Sequence, residues 1–530
     1  MTLTLEQALG QKLTLSFVGA EPSAEILATI RQQHIGGLTL FRALNVDNPA
    51  QVRALTEALQ RAAQVSGQPP LLISADQEGG TLFALAGTTP FPGNLALGAT
   101  RSADLARRTG YALGLELAAM GVNVNYAPVC DVIINPRNPV VGPRSFGEDP
   151  ALVARLCAAM IEGMQAAGVA AAAKHFPGHG DTATDSHHGT PVLLHDAARL
   201  RQVELLPFAA AVQAGTKLVM TAHVALPNFD DGSDLPATLS PNILQGLLRN
   251  DLGFTGVIVS DALDMQAIEQ GPALIVEAIA ATNAGVDMLL LTTGNDQRGI
   301  YAGLLQAARR SMLSPTAIMA SAERIVALKR WVGDRPQPSL DVVGCTDHHA
   351  LAAEIAERSI TLVRDTAHRL PLKPPPDARL AVILPRPKDL TPADTSSYEK
   401  PALADALRAF HPNVDEFVVP INPSDSEVAA LCERMSAYDL VVIGTINALD
   451  HPGQAALVNA ILEREVATVV AALRMPYDLQ AFPTAPTFVC TYSLQPPSMK
   501  ALAGALWGQS PFVGQLPVSI PNTQVHDPGA

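Results

Sequence analysis

The stretch AKHFPGHGDTATDSHHGTPV, residues 173–192, carries four of the chain's 13 histidines (His175, His179, His187 and His188) together with Lys174, Asp181 and Asp185. Several chemistries could ask for such a cluster. A zinc site fits poorly: His175 and His179 are four apart, but Pro177 and Gly178 between them prevent a shared helical face, and adjacent His187 and His188 point apart. Phosphate binding would use the glycine-flexible backbone around Gly178 and Gly180, against the charge of Asp181 and Asp185. A plain turn explains the glycines and threonines but not the histidines. A proton shuttle explains more. Asp185 lies two positions before His187, and a carboxylate beside an imidazole fixes its tautomer and raises its pKa, which yields a general acid near neutral pH. Asp261, in VSDALDM, is then the carboxylate that attacks, or stabilises positive charge; acid plus carboxylate is the pairing of retaining glycoside hydrolysis.

Such residues must be held by a frame, and the chain supplies a regular one. Short apolar runs recur at 13–19, 36–41, 71–77, 122–129, 169–176, 217–224, 256–263 and 286–291, separated by helical stretches such as 102–120 and 149–168. Eight strand patterns alternating with helices predict a (β/α)8 TIM barrel over residues 1–333. Its active groups belong at the carboxyl ends of strands, and the runs end in Asp76 and Glu78, Lys174 and His175, His223, and Asp261 and Asp264. A linker is expected over 334–358, opened by the Pro- and Gly-rich GDRPQPSLDVVG. New apolar runs at 360–365, 380–385, 439–445, 467–473 and 487–492 predict a smaller α/β sandwich with a mostly parallel sheet over 359–530.

Composition narrows the partners. The 530 residues are 48% hydrophobic and 16% charged, which suits large apolar cores. The formal charge of −14, with no basic run and few aromatics, argues against nucleic acid. Five scattered cysteines without CxxC spacing suggest neither disulfides nor zinc and fit a reducing compartment. The start MTLTLEQALGQKLTLSF lacks a signal-peptide pattern and no apolar run is long enough for a membrane span, so a cytoplasmic protein is expected.

KHFPGHGDTATDSH (174–187), with ADQEGG (75–80), YAPVCDV (126–132), GPRSFGEDP (142–150) and VIVSDALDM (257–265), resembles the β-N-acetylglucosaminidase branch of the family 3 glycoside hydrolases, in its two-domain form. The resemblance implies a retaining β-N-acetylglucosaminidase without metal or cofactor, acting on muropeptide or chitin-type oligosaccharides. It makes Asp261 the nucleophile, His187 the acid/base and Asp185 its partner. Asp76, Arg144, Lys174 and His175 match residues that line the sugar subsite. A histidine acid/base is not anionic when it acts as base, so phosphate is not repelled, and a retaining phosphorylase is the neighbouring alternative. The sequence also departs from the pattern. After DQEGG, where an Arg-rich run is usual in relatives acting on peptidoglycan fragments, it reads TLFA (81–84), and no charged residue follows before Arg101; Pro143 stands where aspartate is frequent. A different hexose, or a catalytically weakened sugar-binding protein, is therefore a further alternative.

Overall fold

The computed structural model describes residues 3–185, 189–268 and 274–521. Eight parallel strands occupy the eight apolar runs: β1 (Leu13–Leu15), β2 (Gly37–Leu40), β3 (Leu72–Ala75), β4 (Val124–Asn125), β5 (Ala170–Phe176), β6 (Leu218–Thr221), β7 (Val257–Ser260) and β8 (Leu289–Leu291). They pair in the order β8-β1-β2-β3-β4-β5-β6-β7. A bridge between Val259 and Met288, and the Ser260 N–H donating to the Met288 carbonyl at 2.9 Å, bring the two ends together as a barrel.

All residues of these strands are buried. That is why the sequence shows continuous apolar runs and no period-two alternation: one face fills the barrel and the other meets the helices. The interior layer contains Leu72, Val124, Ala170, Ala172, Leu218, Val257 and Leu290, packed with Ile325, Leu328 and Val332 of the helix Pro315–Gly333. Hydroxyls form another buried layer, with Thr39 to Ser74 at 2.8 Å and Ser74 to Tyr126 at 2.9 Å.

The outer helices Ala103–Ala119 and Pro150–Ala166 start where the sequence has capping residues: Ser102 accepts from Leu105 N–H, and Asp149 accepts from Ala151 N–H with Pro150 in the first turn. Glycine lets them touch. A Cβ on Gly163 would stand 2.0 Å from the Arg107 carbonyl oxygen, so even alanine would force the pair apart.

The stretch 334–358 is more than a linker. From Thr346 it is a helix, Thr346–Ser359, that buries His348, Leu351, Ala352 and Ile355. Its docking point on the barrel is Glu116, whose carboxylate accepts from Gly344 N–H at 3.1 Å and pairs with His348 Nδ1 at 2.7 Å. The prolines and glycines before residue 345 hid this amphipathic face.

The second sheet has six strands: β9 (Thr361–Asp365), β10 (Leu380–Pro385), β11 (Val414–Val419), β12 (Leu440–Thr445), β13 (Ala467–Ala472) and β14 (Thr487–Cys490). Their order is β9-β14-β13-β12-β10-β11, parallel except for β9 on β14. Side chains alternate between two helical layers. Leu380, Val382, Val442 and Val469 pack with Leu403, Leu407 and Leu502, while Ala381, Ile383, Val441 and Val470 belong to the cluster holding Leu431, Leu457 and Ile461. The sheet is thus the middle of an α/β sandwich. Strand β11 was not expected; as an edge strand it exposes Asp415, Glu416 and Val418, and so lacks an apolar run.

Candidate active site

The carboxyl ends of the barrel strands converge on a cavity of about 770 Å³. Its floor is a chain of paired charges. Lys174, near the end of β5, places Nζ 2.6 Å from Asp76 Oδ1 and 2.6 Å from Glu78 Oε1. Arg144 grips Glu78 through two donors, Nη2 to Oε1 at 2.7 Å and Nε to Oε2 at 2.9 Å. Both Lys174 and Glu78 side chains are 1% exposed, so each needs its partners. Burial pushes Glu78 up, but the Arg144 and Lys174 charges outweigh it and hold the carboxyl at about 2. Burial opposes the charge of Lys174 too, yet Asp76 and Glu78 raise it above the ordinary lysine value.

A second chain orients histidine. Asp131, wholly buried, accepts from His179 N–H at 2.7 Å and pairs its other oxygen with His175 Nδ1 at 2.7 Å. A carboxylate partner fixes the proton on Nδ1 and leaves Nε2 for the cavity that His175 lines. Burial pushes Asp131 up, but His175 pulls it net below the usual carboxylate range. His179 behaves oppositely: burial drives its ring down to about 4, against the attraction of Asp131.

Asp261 follows β7 immediately and lines the same cavity. Burial favours its neutral form, but the positive potential of His175 and His223, the Ala262 N–H at 2.8 Å and Lys174 together hold it below the ordinary aspartate value. It is therefore an ionised carboxylate at neutral pH. His223, beyond β6, buttresses this turn, its Nε2 donating to the Ala262 carbonyl at 2.9 Å.

The structure thus brings Asp76, Arg144, Lys174, His175 and Asp261 into one cavity. Asp185 is buried and close enough to His179 to act on its charge, but it is not among the residues lining the cavity. His187 lies outside the described residues. The loop with Asp185 is tied at its base: Asp181 Oδ2 meets His195 Nε2 at 2.8 Å, and Asp181, His195 and Glu204 offer ligand atoms within 4.8 Å of one another. A cation already serves this cluster, since Arg199 Nη2 lies 3.6 Å from Asp181 and 3.2 Å from Glu204.

In the sequence Glu78 and His223 stand only as polar strand ends without roles, and nothing in YAPVCDV marks Asp131 as a buried counter-ion. The wall built by the second sheet's domain has no signature there either. Asp389, Asp394, Thr395 and Tyr398, in the loop after β10, line the cavity beside Arg42, just past the end of β2. The TLFA segment is where this loop docks. Thr395 N–H donates to the Thr81 carbonyl at 2.8 Å and its Oγ1 accepts from Phe83 N–H at 3.0 Å, while Leu82 and Ala84 face the cavity.

Comparison with known proteins agrees with this architecture. Residues 4–328 match the glycosyl hydrolase family 3 N terminal domain. The chain is 34% identical to a beta-hexosaminidase A of Pseudoalteromonas piscicida, over 98% of this chain and 97% of that one. It is 30% identical to a beta-N-acetylglucosaminidase/beta-glucosidase of Cellulomonas fimi, over 97% and 93%. A solved family 3 beta-N-acetylglucosaminidase from Paenibacillus sp. str. FPU-7 superposes with a TM-score of 0.93 at 39% identity, covering 99% of this chain and all of that one. Among the described residues no helix is long and apolar enough to cross a membrane. With the family domain spanning the barrel and relatives matched along both sheets, this chain belongs to glycoside hydrolase family 3 and is a glycoside hydrolase.

Proposed function

We propose that the protein is a retaining β-N-acetylglucosaminidase that removes terminal β-linked N-acetylglucosamine from oligosaccharides. The observation that carries this reading is the ionised Asp261 carboxylate, facing the cavity beside Asp76, Lys174 and His175. In the first step Asp261 attacks the anomeric carbon as the glycosidic bond breaks, and His187, partnered by Asp185, gives its proton to the departing oxygen. In the second, water gives a proton to His187 and attacks the same carbon, releasing Asp261 with net retention. Asp76 and Lys174 hold sugar hydroxyls, and His175 Nε2 and Arg144 complete the subsite. Because Lys174, Arg144 and Asp131 are locked by neighbours, the sugar meets donors and acceptors already in place, which is where such sites gain rate.

Turnover of 4-nitrophenyl β-N-acetylglucosaminide beside the matching β-glucoside, each with and without phosphate, tests the proposal. Selective release of free N-acetylglucosamine in both buffers is expected. Release of a sugar 1-phosphate identifies a phosphorylase instead, and binding of the sugar without turnover leaves a sugar-binding protein.

A further inference from the structure

The cavity is larger than its charged floor requires, and its outer part is built differently. The loop 389–398 is stiffened from within: buried Asp394 accepts from Arg474 Nη1 at 2.6 Å, from Ser396 N–H at 2.9 Å and from Leu390 N–H at 3.2 Å, and Asp389 accepts from Ser397 N–H at 2.7 Å. Thr395 then fastens it to the TLFA segment, and Gln495 Nε2 adds a bond to the Gly80 carbonyl at 2.9 Å. The fixed loop presents Tyr398, 52% exposed, with the Arg42 guanidinium 4.6 Å from its ring centre. Asp264 lines the same cavity, its Oδ2 accepting from Thr292 Oγ1.

We infer that Arg42, Tyr398 and Asp264 form a leaving-group subsite, completed by the second sheet's loop and suited to a neutral amino-sugar ring rather than a carboxylate-bearing one. A flat guanidinium and phenol pair offers surface to the C–H face of a pyranose and N–H donors to its hydroxyl or acetamido oxygens. Asp264, partly exposed in the cavity with its Oδ2 held by Thr292, adds a carboxylate acceptor for a sugar hydroxyl. Charge excludes the alternative. Among the described lining residues of this outer part, Arg42 stands against Asp264 and Asp389, while Asp394 is matched by Arg474. An anionic muramyl leaving group would enter facing carboxylates with no cation in excess. Chitin-type oligosaccharides carry no such charge.

This assignment rests on the proposed hydrolysis, and the test separates the two. Three substrates are compared: N,N′-diacetylchitobiose, an N-acetylglucosaminyl-anhydromuramyl peptide, and N-acetylglucosaminyl β-azide, whose leaving group has no ring. Chitobiose should exceed the muramyl substrate in kcat/KM by about tenfold or more. In Arg42→Ala and Tyr398→Ala the ratio of kcat/KM for chitobiose to that for the azide should fall by about tenfold, mostly through KM, whereas Tyr398→Phe, which keeps the ring, should hold the ratio. Preference for the muramyl substrate, or a ratio unmoved by Arg42→Ala and Tyr398→Ala, overturns the subsite. Wild-type protein inert toward the azide and both oligosaccharides overturns the hydrolase reading itself.

Discussion

The floor and the outer wall of the cavity are both rigid, but they are made rigid in different ways. On the floor, the groups that line the cavity, Lys174, Arg144 and His175, are themselves buried and each is paired with a buried carboxylate, Glu78 or Asp131. On the wall, the buried pair Asp394–Arg474 holds the loop from within, and the exposed Tyr398 and half-buried Arg42, stacked together, face whatever enters. The floor is therefore intolerant, because any change leaves a buried charge alone. The wall can vary in its facing residues while its support is kept, which suits a surface that selects among leaving groups.

The sharpest break of this contrast is at Asp261. Asp261→Ala removes the proposed nucleophile while its neighbours His223 and His175 keep their other partners, so kcat should fall by about 10⁴-fold with little change in folding, read by steady-state kinetics and circular dichroism. Activity within tenfold of wild type would remove Asp261 from the mechanism. Glu78→Gln attacks the floor's cohesion. It strips Lys174 and Arg144 of their shared carboxylate, and loss of one member of a buried ionic set costs about 3–5 kcal/mol. For a barrel of this size the melting transition should drop by about 5 °C, whereas Tyr398→Ala on the wall should leave it unchanged.

The barrel floor and the core under the second sheet should also differ in how pH acts on them. Burial keeps His179 neutral down to about 4, whereas in the unfolded chain it takes a proton near its ordinary value of 6.5. The unfolded state thus binds more protons between these values, and stability is lost as pH falls from about 6.5 to 4, by roughly 3 kcal/mol in all. Glu78, held at about 2, continues the loss below 4.5. Asp478, buried under the second sheet and pushed up to about 7, works in the opposite direction: its protonated form is favoured by folding, so its contribution fades as pH rises from about 4 to 7. Calorimetry between pH 4 and 7 should show a flatter acid loss in His179→Gln and a smaller loss on the neutral side in Asp478→Asn. Unchanged profiles in both variants would mean that these groups titrate alike in the folded and unfolded chain.

The floor was largely legible in the sequence and the wall was not, for a physical reason. Barrel strands are buried on both faces, so each announces itself as an apolar run, and the groups at its carboxyl end are read by adjacency: Lys174 and His175 close β5, and Asp261 follows β7. Even there, the counter-ions Glu78 and Asp131 read as ordinary strand-end polarity, since nothing local reveals which cation they meet. The wall has no local signal. Arg42 and Tyr398 come from different domains and meet only because Thr395 docks on the TLFA segment through its N–H and its hydroxyl, and a lone threonine in a loop gives no sign of the partner it will find. Likewise β11 escapes notice because, as an edge strand, it buries only Val414 and Phe417 of its six residues.

The smallest expected effect concerns the tie at the base of the loop that carries Asp185. Asn138 Nδ2 holds the first limb through the His179 carbonyl at 2.8 Å and the Thr182 carbonyl at 3.1 Å, and Leu193 N–H holds the second through the Ala225 carbonyl at 2.9 Å. Asp181 and His195 join the limbs directly, and both side chains are partly exposed, so the bond itself contributes on the order of 1 kcal/mol or less. His195→Ala should therefore leave the protein folded but let Asp185 wander from its place. If Asp185 supports proton donation, the loss must depend on the leaving group: kcat for chitobiose, which needs a proton on its departing oxygen, should fall by about threefold, while 4-nitrophenyl β-N-acetylglucosaminide, which needs little help, should be nearly unaffected. KM should stay constant for both, because the tie touches neither Lys174 nor Asp76. An equal fall for the two substrates, tracking a lower melting temperature, would instead make the Asp181–His195 bond a support of the fold alone.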